Sequence, residues 1–168
     1  MTAQPIRIRD AAMEDAEAIR AIYNHAVVHT TAVFDYAPRE AEAQRTWMQA
    51  KAEQKLPVLV AEQDGHVLGY SSYGPYRPWP AYLHSVENSV YVAPEHHGKG
   101  IGKALLGPLL EIARARNMHT VIAGITVGNE ASLRLHRAFG FESAGTVREA
   151  GWKFERWLDV IFLQKIFR

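Results

Sequence analysis

The 168-residue chain contains no cysteine. That excludes a disulfide framework, a thiolate metal site and a cysteine nucleophile. It also lacks a charge excess: 19 Lys+Arg stand against 18 Asp+Glu, for a formal net charge of +1. A nucleic-acid partner normally calls for a basic excess, so none is expected, and any anion site must be a local arrangement. No apolar run approaches the roughly 18 residues of a membrane span; the longest, such as Val58-Leu59-Val60-Ala61, are strand-sized. The first residues, from Met1 to Arg9, carry no apolar run behind their charges and do not read as a signal peptide. The expectation is a soluble cytoplasmic protein with no membrane partner. No internal repeat or low-complexity segment stands out. The eight histidines include no His-x-x-x-His helix pair near carboxylates, so no metal is expected.

What is present is ordinary globular composition, 48% hydrophobic and 22% charged. The length fits one domain over residues 1–168. Alternation from Ile6 to Arg9 predicts a strand. Apolar residues at helical spacing predict a helix over about 14–27, and Pro38 opens a second one reaching about 53. Strands follow over 56–62 and 67–73, joined by the turn Asp64-Gly65. The segment Gly74 to Pro80 holds three prolines and is irregular. A strand over 83–92 is stopped by Pro94, and a helix over 100–116 should kink at Pro108. A strand over 120–126, a helix over 129–139 ended by Gly140, and strands over 142–149 and 156–165 complete the chain. The order β-α-α-β-β-β-α-β-α-β-β implies a mixed α/β fold around one twisted, largely antiparallel sheet.

The stretch from Val90 to Leu106 carries the chemistry. A strand leads into the glycine-rich turn His97-Gly98-Lys99-Gly100-Ile101-Gly102-Lys103, which opens a helix. Free N–H groups and the helix dipole at such a start favour a phosphate. Between His96 and Lys103 lie two Lys, two His and no acid. Gly-x-Gly-x-x-Gly fails at Lys103 or Leu105, and a Walker A loop fails at His97 and Ala104. Taken alone, the turn is equally well a tight cap.

The turn resembles the acyl-CoA-binding Arg/Gln-x-x-Gly-x-Gly/Ala motif of the GNAT N-acetyltransferase superfamily, with His97 in the first position. Downstream, Asn129 to Phe141 resembles the family's Asn-x-x-Ala/Ser-x-x-Leu-Tyr-x-x-x-Gly-Phe segment, with His136 in the tyrosine position. Ser85 to Val92, His136, and the ending Gly151-Trp152-Lys153 to Val160 are similar to the phosphinothricin and methionine sulfoximine N-acetyltransferase branch. The resemblance implies the GNAT fold, acetyl-CoA as co-substrate, a small amino-acid analogue as acceptor and a homodimer. It implies that the backbone of Val90, Tyr91 and Val92 holds the pantetheine arm. The amides from Gly98 through Lys99, Gly100, Ile101 and Gly102 to Lys103 would hold the pyrophosphate, beside His97. Asn129 and Ser132 become cofactor contacts, and His136 a candidate acid for the leaving thiolate.

Attack of an α-ammonium requires its deprotonation, and Glu87 is the candidate base; as a bare strand carboxylate it reads first as a solvated side chain, and its place in the family pattern is what favours the base. Arg77 offers a planar donor for a substrate carboxylate. Phe34, Tyr76 and Trp79 are candidates to wall the pocket, with Lys153 a further candidate, across a dimer interface. The alternatives are a protein or peptide N-acetyltransferase, which would want an open groove, and a non-catalytic acyl-CoA sensor. With no cysteine available for an acetyl-enzyme, direct attack in a ternary complex is the simplest route.

Overall fold

The computed structural model describes residues 4–168. β1 (Arg7–Asp10) leads through a 3-10 turn at Met13–Asp15 into α1 (Ala16–His29), which buries Ile19, Ile22, Tyr23, Ala26 and Val27 along one stripe. α2 (Ala41–Glu53) begins beyond the expected start at Pro38. The reason is Asn24. Its side-chain oxygen accepts the Arg39 N–H at 2.7 Å and its amide donates to the Arg39 carbonyl at 3.0 Å. That pair of bonds imitates a neighbouring strand and keeps the backbone extended through Glu40 (φ −72°, ψ 157°).

β2 (Val58–Gln63) and β3 (His66–Pro75) form the expected hairpin, with Asp64 and Gly65 both at positive φ (50° and 79°). β4 (Ser85–Val92), α3 (Ile101–Ala115), β5 (Thr120–Thr126) and α4 (Glu130–Ala138) follow. α3 runs through Pro108 as one element. The proline ring lies on the exposed side of the helix, where the carbonyl four residues back can lose its helical donor to water. β6 (Glu142–Lys153) and β7 (Arg156–Ile166) close the chain. β6 was expected to end near residue 149. It continues because a register shift between Val147 and Gly151, with Glu149 at φ 51°, absorbs the irregular residues.

Among the described residues the strands make one sheet, ordered β1-β2-β3-β4-β5-β7-β6. Its pairs are antiparallel except β4 with β5. α1 and α2 cover one face through a core that includes Val60, Tyr70 and Met48. The other face packs Leu59, Val86, Val121, Ala123 and Ile125 with Leu105, Leu106, Leu109 of α3 and Leu133 of α4. Alternation along β4 therefore sends Glu87, Ser89 and Tyr91 toward α1 and α2, and Val86, Asn88, Val90 and Val92 toward α3 and α4.

Gly69, beside the β2–β3 bulge between Ala61 and Glu62, permits a close backbone approach of β3 to β4. A Cβ there would lie 2.7 Å from the Tyr91 carbonyl oxygen and 3.2 Å from the Val92 Cα, both backbone atoms of β4. Gly69→Ala is expected to lower unfolding free energy by about 1–3 kcal/mol, the usual cost of overpacking, read as a lower urea midpoint with an unchanged slope.

Candidate active site

β4 and β5 pair over a short ladder, Ser85↔Thr120, Val86↔Val121 and Glu87↔Ile122. Beyond it each strand keeps its other neighbour: β4 stays with β3 to Val92, and β5 with β7 to Thr126. The sheet opens between them. Bonds at the two ends of the β3–β4 ladder, Tyr76 N–H to the Ser85 carbonyl (3.1 Å) and Ala93 N–H to the Leu68 carbonyl (2.9 Å), fix which backbone groups face the opening. Glu87, Ser89 and Tyr91 share the parity of those bonded residues and spend their N–H and C=O groups on β3. Asn88 still gives its N–H to β5 at the end of the short ladder, and Val90 and Val92 turn theirs to the gap. Of the three backbone contacts expected from sequence, Val90 and Val92 point into the opening and Tyr91, paired with Tyr70, does not. The Val92 carbonyl already accepts a bond from His97 Nε2 at 2.9 Å, so Val90 offers the free donor and acceptor.

The same histidine ties the glycine-rich turn to the end of β4. Gly98 and Gly100 stand at φ 75° and 80°, the left-handed region that disfavours a Cβ. The first intrahelical bond is Ala104 N–H to the Gly100 carbonyl, 3.1 Å. The N–H groups of Ile101, Gly102 and Lys103 therefore lack helical acceptors and point out of the helix start. Gly102 serves a different purpose. A Cβ there would meet Leu135 at 3.2 Å, so its absence lets α3 approach α4.

Asn129 caps α4, its side-chain oxygen accepting the Ser132 N–H at 3.2 Å. His136, two turns on, is buried at 3% exposure. Its Nδ1 lies 2.8 Å from the Ser132 carbonyl and its Nε2 2.9 Å from Asn88 Nδ2. Burial lowers its pKa, while the Ser132 carbonyl works in the opposite sense. Since a carbonyl only accepts, Nδ1 carries the ring's proton, and Nε2 presents a lone pair. In this arrangement the Nδ1 proton faces the Ser132 carbonyl.

On the opposite face, Glu87 reaches over β5. A Cβ on Gly124 would sit 3.1 Å from Glu87 Oε1, so the glycine makes room for the carboxyl. Burial raises the Glu87 pKa and Arg77 partly opposes the rise. Arg77 Nη1 lies 3.9 Å from Glu87 Oε2. The Arg77 guanidinium lies over the Tyr76 ring at 4.1 Å, and the same Nη1 donates to the Tyr76 carbonyl at 2.8 Å. Tyr82 links Tyr76 (5.5 Å between centroids) to Trp79 (6.4 Å). Arg77, Tyr76 and Trp79 thus form one aromatic-backed arm over Glu87.

A GNAT acetyltransferase domain model matches residues 8–162. The chain is 47% identical over 158 residues to an L-methionine sulfoximine/L-methionine sulfone acetyltransferase of Pseudomonas paraeruginosa, covering 94% of this chain and 92% of that protein. It is 40% identical over 163 residues to a phosphinothricin N-acetyltransferase of Streptomyces coelicolor, 95% of each chain. It superposes with a TM-score of 0.94 on the crystal structure of a phosphinothricin acetyltransferase from Sinorhizobium meliloti in complex with acetyl-CoA, at 34% identity, over 98% of this chain and 89% of that one. The chain belongs to the GNAT acetyltransferase family.

In this GNAT acetyltransferase two of the expected substrate contacts lie elsewhere. Lys153 is buried, and its ammonium donates to the carbonyls of Val27 (2.7 Å), Thr30 (2.9 Å) and Val33 (2.5 Å). All its donors are used in capping the C-terminus of α1 and holding the following loop, so Lys153 drops out of the substrate site. Phe34, on that loop, packs against Gly151, where any Cβ would collide with the ring. It braces the β6–β7 hairpin rather than joining the arm of Arg77. Conversely, Asn88 and Gly124 lie at the opening beside His136 and Glu87, and the sequence assigns them no role. Asn88 had a signal: it is the polar residue in an otherwise aliphatic row, Val86, Val90 and Val92. Gly124 had none, because its value lies in a contact across strands. Lys153→Met leaves buried carbonyls without a donor, at about 1–3 kcal/mol for such a group. Chemical denaturation is expected to show a loss of at least about 2 kcal/mol, against little change for Arg77→Ala.

Proposed function

We propose that this acetyltransferase moves an acetyl group from acetyl-CoA to the α-amine of a small amino-acid analogue of the methionine sulfoximine, methionine sulfone or phosphinothricin type. The observation that carries this reading is the Glu87–Arg77 pair, a carboxylate and a guanidinium 3.9 Å apart on the face opposite His136. An amino acid bears an ammonium and a carboxylate on one carbon. Its ammonium matches Glu87 and its carboxylate matches Arg77, so a zwitterion exchanges one ion pair for two. A protein N-terminus has no carboxylate at that place, which disfavours the peptide reading. The names of the relatives point the same way.

Acetyl-CoA supplies an acyl carbon activated by a thiolate leaving group. The residues facing the gap fit such a donor: the free N–H and C=O of Val90 suit the arm's amides, and the N–H groups of Ile101, Gly102 and Lys103 suit a pyrophosphate. Lys99 and Lys103 add the positive charge. Asn129 and Ser132 bound the same groove from α4. Glu87 accepts a proton from the ammonium, directly or through a water. The amine nitrogen then bonds to the acyl carbon as the carbon–sulfur bond breaks, and the thiolate takes up a proton. The overall balance is ammonium plus thioester giving amide, thiol and one proton.

A homodimer fits the β6–β7 hairpin. β6 is a long edge strand, and Val147, Trp152, Phe154 and Trp157 are each about half exposed on the pair (50%, 47%, 50% and 58%). Sedimentation is expected to give twice the chain mass, and a single-chain mass would reject this assembly.

Thiol release from acetyl-CoA, measured over these three analogues and a peptide panel, tests the main reading. Turnover is expected on the analogues, and turnover on peptides alone would overturn it. Glu87→Gln is expected to lower kcat roughly 10²- to 10⁴-fold, the range for general base catalysis. It should also abolish the acidic limb of the rate profile. That limb reports the raised Glu87 carboxyl, so it lies at higher pH than an ordinary glutamate would give. Arg77 is the charge that holds the pKa down. Arg77→Ala is therefore expected to move the limb further toward neutral pH, and to raise KM most for acceptors bearing a carboxylate.

A further inference from the structure

The row of β4 side chains facing α3 and α4 is aliphatic except at Asn88. Asn88 is 7% exposed, and it is the first residue past the last β4–β5 pair, Glu87↔Ile122. It stands in the throat where the strands begin to part. The orientation of its amide follows from His136. The Ser132 carbonyl takes the Nδ1 proton, which leaves Nε2 as an acceptor, and only the Asn88 Nδ2 can face an acceptor at 2.9 Å. The other end of the amide is thereby fixed. Among the described residues Asn88 Oδ1 is buried with no hydrogen-bond partner. A buried acceptor held without a donor costs free energy. A network anchored at three points, Ser132, His136 and Asn88, maintains that cost at one spot.

We propose that Asn88 Oδ1 is a donor-substrate contact: it accepts the N–H of the pantetheine amide nearest the thioester, and His136 is the positioning residue that aims it. The inference rests on the acetyl-CoA reading above. A thioester offers only acceptors, its carbonyl oxygen and its sulfur. The first donor along the arm is the secondary amide one ethylene link from the sulfur. An acceptor in the throat is matched by that group and by nothing closer to the reacting carbon. Fixing the amide sets how far the arm descends between β4 and β5, and with it the position of the acyl carbon relative to Glu87 on the other face. His136 then acts through Asn88, consistent with a ring whose Nε2 lone pair is already occupied.

Two acetyl thioesters separate this role from a packing role: S-acetyl-N-acetylcysteamine, which carries the amide, and an alkyl thioacetate of equal length, which does not. The wild-type protein is expected to prefer the amide-bearing donor by about tenfold in kcat/KM, the scale of one well-placed hydrogen bond. In Asn88→Leu the preference is expected to fall to about unity, with KM for acetyl-CoA raised about tenfold and kcat changed less. Calorimetric Kd for CoA itself should rise by the same factor, whatever the amine. His136→Phe should lose part of the preference, because the amide is released from its orientation. A variant that slows both thioesters equally and keeps the wild-type ratio overturns the proposal, as does a wild-type protein with no preference. If Asn88→Leu does not fold, the wild-type ratio still decides against the proposal when it is unity, and Asn88→Ser supplies the variant arm. CoA binding without turnover on any amine would reject the acceptor reading while leaving this contact standing. Failure of the wild-type protein to bind CoA would reject both.

Discussion

The opening exists because the β4–β5 ladder ends at the pair Glu87↔Ile122. A parallel pair is the weakest join in such a sheet, and here it is the join that opens. Each strand can leave the other because it remains fully paired on its far side, β4 with β3 and β5 with β7. The sheet thus opens without orphaning its outer ladders, and the backbone groups turned into the opening become available to a ligand. The glycine-rich turn follows directly from β4, so the free N–H groups of α3 lie at the end of the same opening.

The two faces of the sheet carry different electrostatics at the opening. The α1 and α2 face presents opposite charges, Glu87 and Arg77, side by side. The α3 and α4 face presents no carboxylate or guanidinium there but two polar groups in an apolar lining, the Asn88 amide and the His136 ring. Such a division suits a reaction between a zwitterion and an uncharged thioester. The charged partner is met by charges, and the neutral arm by amides and aliphatic side chains that cost it little to enter.

Element order, sheet class and the phosphate-type turn were legible in the sequence because local rules govern them: helical spacing, alternation, and glycines at a helix start. Element ends were less so where a distant side chain intervenes, as Asn24 does for Arg39. The β6–β7 hairpin turns on Phe154 and Glu155, both at positive φ (51° and 56°), and neither residue type signals that conformation. Glu87 and Arg77 were legible as chemical types near a strand and a rigid loop. The hydrogen-bond partners of His136 and Lys153 were not. A histidine looks like an acid until its neighbours fix its tautomer, and a lysine looks like a ligand contact until its donors are counted against carbonyls brought from another part of the chain.

Lys153 gathers three carbonyls from the end of α1 and the loop beyond it, and that loop also carries Phe34 onto Gly151 and offers the Thr31 carbonyl to the Thr126 hydroxyl at 2.7 Å. Hairpin, loop and the tip of β5 are therefore mechanically one piece. Sequence drift in the hairpin therefore has a lever on β5, the strand whose Gly124 makes room for the Glu87 carboxyl.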